Sequence, residues 1–318
     1  MRNFWLFSLT IVVLSSCYKD KIVFVPDQHY KINNDILLAN LVGSQESYIV
    51  NIDRQNHIAL PGNVSLIFPK NKTRLYDNTL VTGQVKIEFK EYAYPKSGLM
   101  NYPEASTNTS WINSEKAILL KVTQDDRQLL LTEPMTLYFP SITSNSDMKI
   151  YTLNAENTNA QWNISPVLTN ELEYGNWLVG EEGVGQQTKE ITGYKLKLAQ
   201  TTEKILIGSP LGNKGALQNK CTIETPKGFT DSNSIVYFIG SQINMVIKLD
   251  YDEVTRQFYT NKGIIDQNIA GKMVIIGQIS DDEYYFGMTN AVLGEDTRIL
   301  ISGNTMPLEN IKAALSKL

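Results

Sequence analysis

The sequence predicts an all-β protein: tandem antiparallel β-sandwich domains closed by one short C-terminal helix. Three observations predict it. Apolar residues recur with period two from about residue 64 onward, Gly-, Pro-, Asn- and Asp-rich clusters separate these runs, and no helical period stands between them. Alternation with one wet face belongs to antiparallel sheets, and many short strands without intervening helices build sandwiches with Greek-key connections.

The elements follow in chain order. Met1–Ser16 reads as a signal peptide, with a basic start, an apolar stretch from Phe4 to Leu14 too short to span a bilayer, and small residues before Cys17. Leu14-Ser15-Ser16-Cys17 is a lipoprotein cleavage box, so Cys17 is the expected lipidation site and the mature N-terminus. Several acyl chains there would hold the body firmly to a membrane. Residues 17–44, with apolar patches at Ile22–Val25 and Ile36–Leu41, read as a lipidated tether plus a possible first strand, and 45–208 as a β-sandwich region. The second sandwich, 209–318, ends in the helix. The clearest strand is Gln84–Lys90, where Val85, Ile87 and Phe89 share one face and Gln84, Lys86, Glu88 and Lys90 the other.

The same parity recurs in Ile118/Leu120/Val122, Met135/Leu137/Phe139, Tyr194/Leu196/Leu198, Ile243/Met245/Ile247/Leu249 and Met273/Ile275/Ile279. Pro61-Gly62-Asn63, Ser144–Asp147 and Thr230–Asn233 read as turns. Two Gly-rich stretches, Gly180–Glu190 and Ser209–Lys220, place a domain break near 180–220, where a protease should cut first. Leu308, Ile311, Leu315 and Leu318 form the apolar stripe of the only expected helix, begun by Thr305 and Pro307, which packs on its own domain.

Composition narrows the function classes. A net charge of −4 spread over scattered single charges offers no basic field, so nucleic acid is not an expected partner. With Cys17 acylated, Cys221 has no partner for an intramolecular disulfide and reads as a small buried apolar residue in a strand. His29 and His57 lack metal-ligand spacing, so metal hydrolysis and a resident cofactor are not expected. Gly208-Ser209-Pro210-Leu211-Gly212 has its serine misplaced for a nucleophile elbow and reads as a turn. The glycines at 180, 183 and 185 lack the order and strand-helix context of a dinucleotide loop.

Acidic groups at Asp125-Asp126, Asp250/Asp252 and Asp281-Asp282-Glu283 fall where turns favour Asp. Calcium at Asp281, Asp282 and Glu283 is the alternative reading of the last group. Trp111, flanked by Asn108, Thr109, Ser110 and Asn113, is the least core-like tryptophan and the candidate ligand platform. Trp162 and Trp177 read as core, and Tyr284-Tyr285 as a further stacking candidate.

Ser47–Tyr92 resembles the opening of lipoproteins from Bacteroidota. It carries Gly62, Val64, Leu66 and Pro69, then Thr82-Gly83-Gln84-Val85-Lys86-Ile87 and Glu91-Tyr92, and is also similar to the start of the ZU5 β-sandwich, an immunoglobulin-like layout. Asp147–Ile150, Trp162, Thr225-Pro226 and Ser234–Tyr237 fit the same group. The resemblance implies an outer-membrane lipoprotein without assigned catalytic residues. The His-Phe-Ser site at which some ZU5 domains self-cleave is absent from this sequence. Tyr18-Lys19-Asp20-Lys21 partly resembles a surface-export signal, which leaves both leaflets open. The leading expectation is a non-enzymatic binding or scaffold module with a protein or glycan partner. Next stands a surface glycan-binding protein, marked by coplanar exposed rings, and last an envelope hydrolase.

Overall fold

A computed structural model describes residues 37–38, 45–93, 96–107, 110–154, 161–180, 188–198, 204–211, 221–260, 269–280, 283–293 and 297–318. The chain is all-β and sandwich-like, as its alternation predicts. β1 (Glu46–Asn51), β2 (Asn56–Leu60), β3 (Val64–Phe68) and β4 (Thr73–Arg74) lead into β5 (Gln84–Glu91) and the long β6 (Trp111–Gln124). Then come β7 (Arg127–Gln128), β8 (Leu130–Leu131), β9 (Met135–Pro140), β10 (Lys149–Asn154) and β11 (Gln161–Ile164). A five-residue helix, α1 (Pro166–Asn170), precedes β12 (Leu172–Val179), β13 (Lys189–Leu198) and β14 (Lys204–Leu211).

The second half holds β15 (Cys221–Glu224), β16 (Ser234–Gly240), β17 (Val246–Lys248), β18 (Asp250–Asp252) and β19 (Gln257–Tyr259). It continues through β20 (Ile269–Gln278), β21 (Tyr284–Leu293), β22 (Thr297–Leu300) and β23 (Gly303–Met306) to helix α2 (Leu308–Leu315). Among the described residues no helix is long and apolar enough to cross a membrane.

Four main sheets result. The first outer sheet runs β12-β13-β9-β3-β2 and the first inner sheet β1-β5-β6-β14-β10-β11, with β7 paired to β6. The second inner sheet runs β17-β16-β20-β21-β23 and the second outer sheet β18-β19-β15-β22. Pairing is antiparallel throughout these sheets except between β15 and β22. The parity read from the sequence sets the first core. Val85, Ile87, Phe89, Ile118, Leu120 and Val122 of the inner sheet meet Met135, Leu137, Phe139, Tyr194, Leu196 and Leu198 of the outer one, all nearly sealed from solvent.

Each inner sheet buries residues on both faces, although the β1–β5 edge of the first keeps one face wet. The residues of opposite parity in the first inner sheet, among them Ala117, Tyr151, Leu206 and Trp162, join Ile235, Tyr237, Ile239, Val274 and Ile276 of the second inner sheet in a junction core. The other face of that sheet, with Val236, Phe238, Met273 and Ile275, packs on Cys221, Ile223 and Phe258 in a third core. Four sheets and three apolar layers therefore stack in series. The unbroken apolar run Ile235-Val236-Tyr237-Phe238-Ile239 is what a strand buried on two sides requires. Helix α2 puts Ile311 and Leu315 into the junction core, and a Glu309–Lys312 pair at 2.7 Å lies on its wet side.

Several expectations need correcting. Leu37 and Leu38, in the patch read as tether or a possible first strand, are helical and buried in the junction core. The Gly208–Leu211 stretch is not a turn but the end of β14, which has a register shift at Ile207/Gly208. Gly208 lies so close to β6 that a Cβ there would sit 2.3 Å from the Asn113 carbonyl oxygen. Pro210 is tolerated because β10 pairs with β14 only as far as Gly208, so that among the described residues that side of the strand has no ladder partner there. Helix α1 was not foreseen. Its signal is Ser165-Pro166, where the serine Oγ accepts the Leu168 N–H at 3.4 Å and proline occupies the first turn.

Polar contacts also cross the junction. Lys96 Nζ donates to the Gly240 and Ser241 carbonyls at 2.9 and 2.7 Å, Ser114 N–H donates to Asn244 O at 3.0 Å, and Asn244 N–H donates to Asn113 Oδ1 at 2.9 Å. Trypsin is accordingly expected to nick at Lys214 or Lys220, within the Gly-rich stretch between β14 and β15, without separating the halves. Gel filtration of the nicked protein should show one peak at the intact size and denaturing electrophoresis two bands. Free halves would contradict the junction core.

Candidate functional site

Trp111, expected as a ligand platform, is 2% exposed. It begins β6 and reaches across into the third core, which it shares with Phe238 and Met273. Polar neighbours in sequence misled the reading, because the strand carries the ring into the other half of the molecule. Trp162 is 1% exposed and stacks on Tyr102 at 5.4 Å, and Tyr285 packs on Phe229 at 4.6 Å, so both rings are interior. Trp177, read as core, is instead half-buried on the outer face of the first outer sheet. Its N–H donates to Gly193 O at 3.2 Å, a Cβ on Gly175 would lie 3.1 Å from the ring, and the Lys195 ammonium sits 4.6 Å over it. The indole fills the space above Gly175. Its neighbour Tyr138 is 6.2 Å away and tilted by 57°, so this pair is not a coplanar platform.

Cys17, His29, Asp281 and Asp282 lie outside the described residues. Glu283 accepts the Ile279 and Ser280 N–H groups at its carbonyl, closing the turn before β21. Asp125 and Asp126, with φ of 50° and 60°, make the two-residue turn between β6 and β7. Among the described residues no group of three His, Cys, Asp or Glu converges. His57 stands on β2 opposite Ile67.

The feature that sequence reading missed is a cleft of about 480 Å³ in the second half. It lies between the β15–β16 connection, Thr225–Asn233, and the β18–β19 hairpin, represented by Tyr251 and Arg256. Its volume is in the range of small-molecule sites. The connection is held from within. Buried Asn233 accepts the Thr230 N–H at Oδ1 and donates from Nδ2 to Gly228 O, both at 2.9 Å, and Ser234 Oγ donates to Thr230 O at 2.6 Å. Phe229 anchors it in the third core against Gly277, where a Cβ would fall 2.4 Å from the ring. Such internal support preorganises a site.

The hairpin wall is equally set. Asp252 Oδ1 accepts the Val254 and Thr255 N–H groups at 2.9 and 3.2 Å, and Arg256 N–H donates to Asp252 O at 2.7 Å. Arg256 has φ of 56°, a left-handed position that turns ordinarily give to Gly or Asn and that costs another residue about 1–2 kcal/mol. A side chain held there despite strain marks a place where function is to be sought. Tyr251 packs on Phe258 at 4.9 Å. Burial lifts its phenol above the ordinary value, Arg256 pulls it back, and Asp231, Glu253 and Asp252 push it up again, so it stays a proton donor at neutral pH. The lining carries two exposed cations, Lys227 and Arg256, and the Asp231, Asp252 and Glu253 carboxylates lie near enough to act on its Tyr251. The signals were Pro226-Lys227-Gly228 and an arginine where the Asp252–Arg256 turn calls for glycine.

A second charged feature is interior. Glu91 and Lys116 form an ion pair at 3.4 Å with side chains 5% and 6% exposed, and the turn at Gly62 lies against it. Glu91 Oε1 also accepts the Ala93 N–H at 3.1 Å. Burial pushes the Glu91 carboxyl up, opposed by the Lys116 charge and that amide. This pair is a structural element on the first-core face of β5 and β6. No family model, curated protein or solved structure matches this chain.

Proposed function

We propose that this chain is a lipid-anchored outer-membrane protein that works by binding rather than by catalysis, with Cys17 as its anchor and the Thr225–Asn233 cleft as its working surface. The observation that carries this reading is the cleft itself. A loop fixed from within and a hairpin with a strained arginine hold hydroxyls, a tyrosine and two cations around one space, which is the equipment of recognition. The Leu14–Cys17 box supports the anchor, and the serial stack of sheets supports a body that carries the cleft as one piece.

Labelling growing cells with radioactive palmitate tests the anchor. The wild type should take up label and sediment with membranes. Cys17→Ser should remain uncleaved and unlabelled by acyl chains. An unlabelled wild type would refute the lipid attachment.

A further inference from the structure

We propose that the open margin of the first inner sheet, where Lys90, Lys121 and Lys204 stand around Leu119, docks on an anionic bilayer surface, the one that holds the lipid on Cys17. This rests on the anchor reading above and adds a second membrane contact to it. The three lysines are far apart in sequence, and strand pairing gathers them. Lys90 on β5 and Lys204 on β14 both stand opposite Leu119 of β6, one on either side, and Lys121 follows two residues along β6 on the same face, opposite Glu88. Neighbouring strands lie about 4.8 Å apart and alternate residues about 7 Å apart, so the three positions fall within a patch roughly 10 Å across.

The carboxylates near this face are spent on a fourth lysine. Lys86 holds Glu88 at 2.6 Å, and Asp126 acts on Lys86 from the β6–β7 turn. Among the described residues no ion pair takes up Lys90, Lys121 or Lys204. Burial lowers the Lys90 amine and no carboxylate counters it. In a chain of net charge −4, such a face attracts a negative surface. Its floor is apolar, since Leu119 is half-buried at the margin of the junction core and Ile49, opposite Lys86 on β1, is 62% exposed. Lysine stems lie along such a floor while their charges reach the headgroups. The place also fits, because the Lys90 ammonium lies 5.2 Å over the Tyr92 ring, and Tyr92 shares the junction core with Leu37 and Leu38, the first described residues after Cys17. Each lysine at an anionic surface is worth about fivefold in affinity. That is weak for a free protein and effective for one confined by a leash of about 70 Å at most.

Lysine acetylation read by mass spectrometry tests the docking, with the full chain held by its N-terminal segment on vesicles of phosphatidylcholine alone or mixed with phosphatidylglycerol. On the mixed vesicles Lys86, Lys90, Lys121 and Lys204 should label about threefold or more slowly than on the neutral ones, and sodium chloride should abolish the difference. Exposed Lys189 on β13 and Lys227 in the cleft should label equally on both. Lys90→Gln, Lys121→Gln and Lys204→Gln combined keep Lys86 as a reporter on the same face, and its protection should vanish while the melting temperature holds. Equal labelling of the wild type on both vesicles overturns the proposal, and so does protection of Lys86 that survives the triple variant. Equal protection by soluble heparin, with the chain in detergent, overturns the bilayer in favour of a dissolved polyanion. The palmitate experiment decides the anchor separately, since the footprint is read whether acyl chains or the apolar leader hold the chain on the vesicle.

Discussion

Ile87→Asp is expected to unfold the protein, whereas Lys86→Asp one residue away is expected to leave its melting temperature within a few degrees of the wild type. Ile87 has no exposed surface and lies in the first core, opposite Tyr48 on β1 and Val122 on β6. A carboxylate there has no cation to meet and costs several kcal/mol, against the roughly 5–15 kcal/mol that holds a whole domain. Lys86 points the other way. It pairs with Glu88 at 2.6 Å on a wetted face, and solvent-screened pairs contribute little, so reversing its charge is tolerated. Circular dichroism melts of the two variants decide the matter, and matching melts would mean that the register of β5 is wrong.

Lys116→Met is expected to cost about 3–5 kcal/mol, because it leaves the Glu91 carboxylate buried without its counter-charge. Adding Glu91→Gln should restore most of that loss, since removing both charges avoids two desolvation penalties. Urea denaturation of the single and double variants measures the coupling, and a double variant no more stable than Lys116→Met would show that the pair is not the unit it looks to be. The pH dependence has a definite sign. Burial raises the Glu91 carboxyl above its unfolded value, so the folded chain holds that proton more tightly. Its contribution to folding is fully present below the ordinary Glu range and is lost as pH rises through the folded value. Removing the Lys116 charge should extend that loss to higher pH.

Strands of one wet and one buried face were legible because parity is a local signal, as in Val85, Ile87 and Phe89. Strands buried on both faces were legible only as apolar runs. The sequence of β16 or β20 does not state which neighbour covers the second face, and that neighbour comes from the other half of the chain. Trp111 was misplaced for the same reason: its burial is supplied by residues more than a hundred positions away. The cleft was illegible because its two walls are separate in sequence, and its polar residues individually have the composition of ordinary turns. The local marks were Pro226-Lys227-Gly228 and Arg256, a bulky cation where hairpin geometry wants glycine.

The burial of Leu37 and Leu38 in the junction core has a mechanical consequence. For a lipid on Cys17, the leash to Leu37 can extend to about 70 Å at most, and it enters the body at the seam between its halves rather than at an end strand. Tension between the bilayer and a ligand held at the cleft would therefore run from the seam through the second pair of sheets. The first sandwich, off that path, would bear almost none of the load.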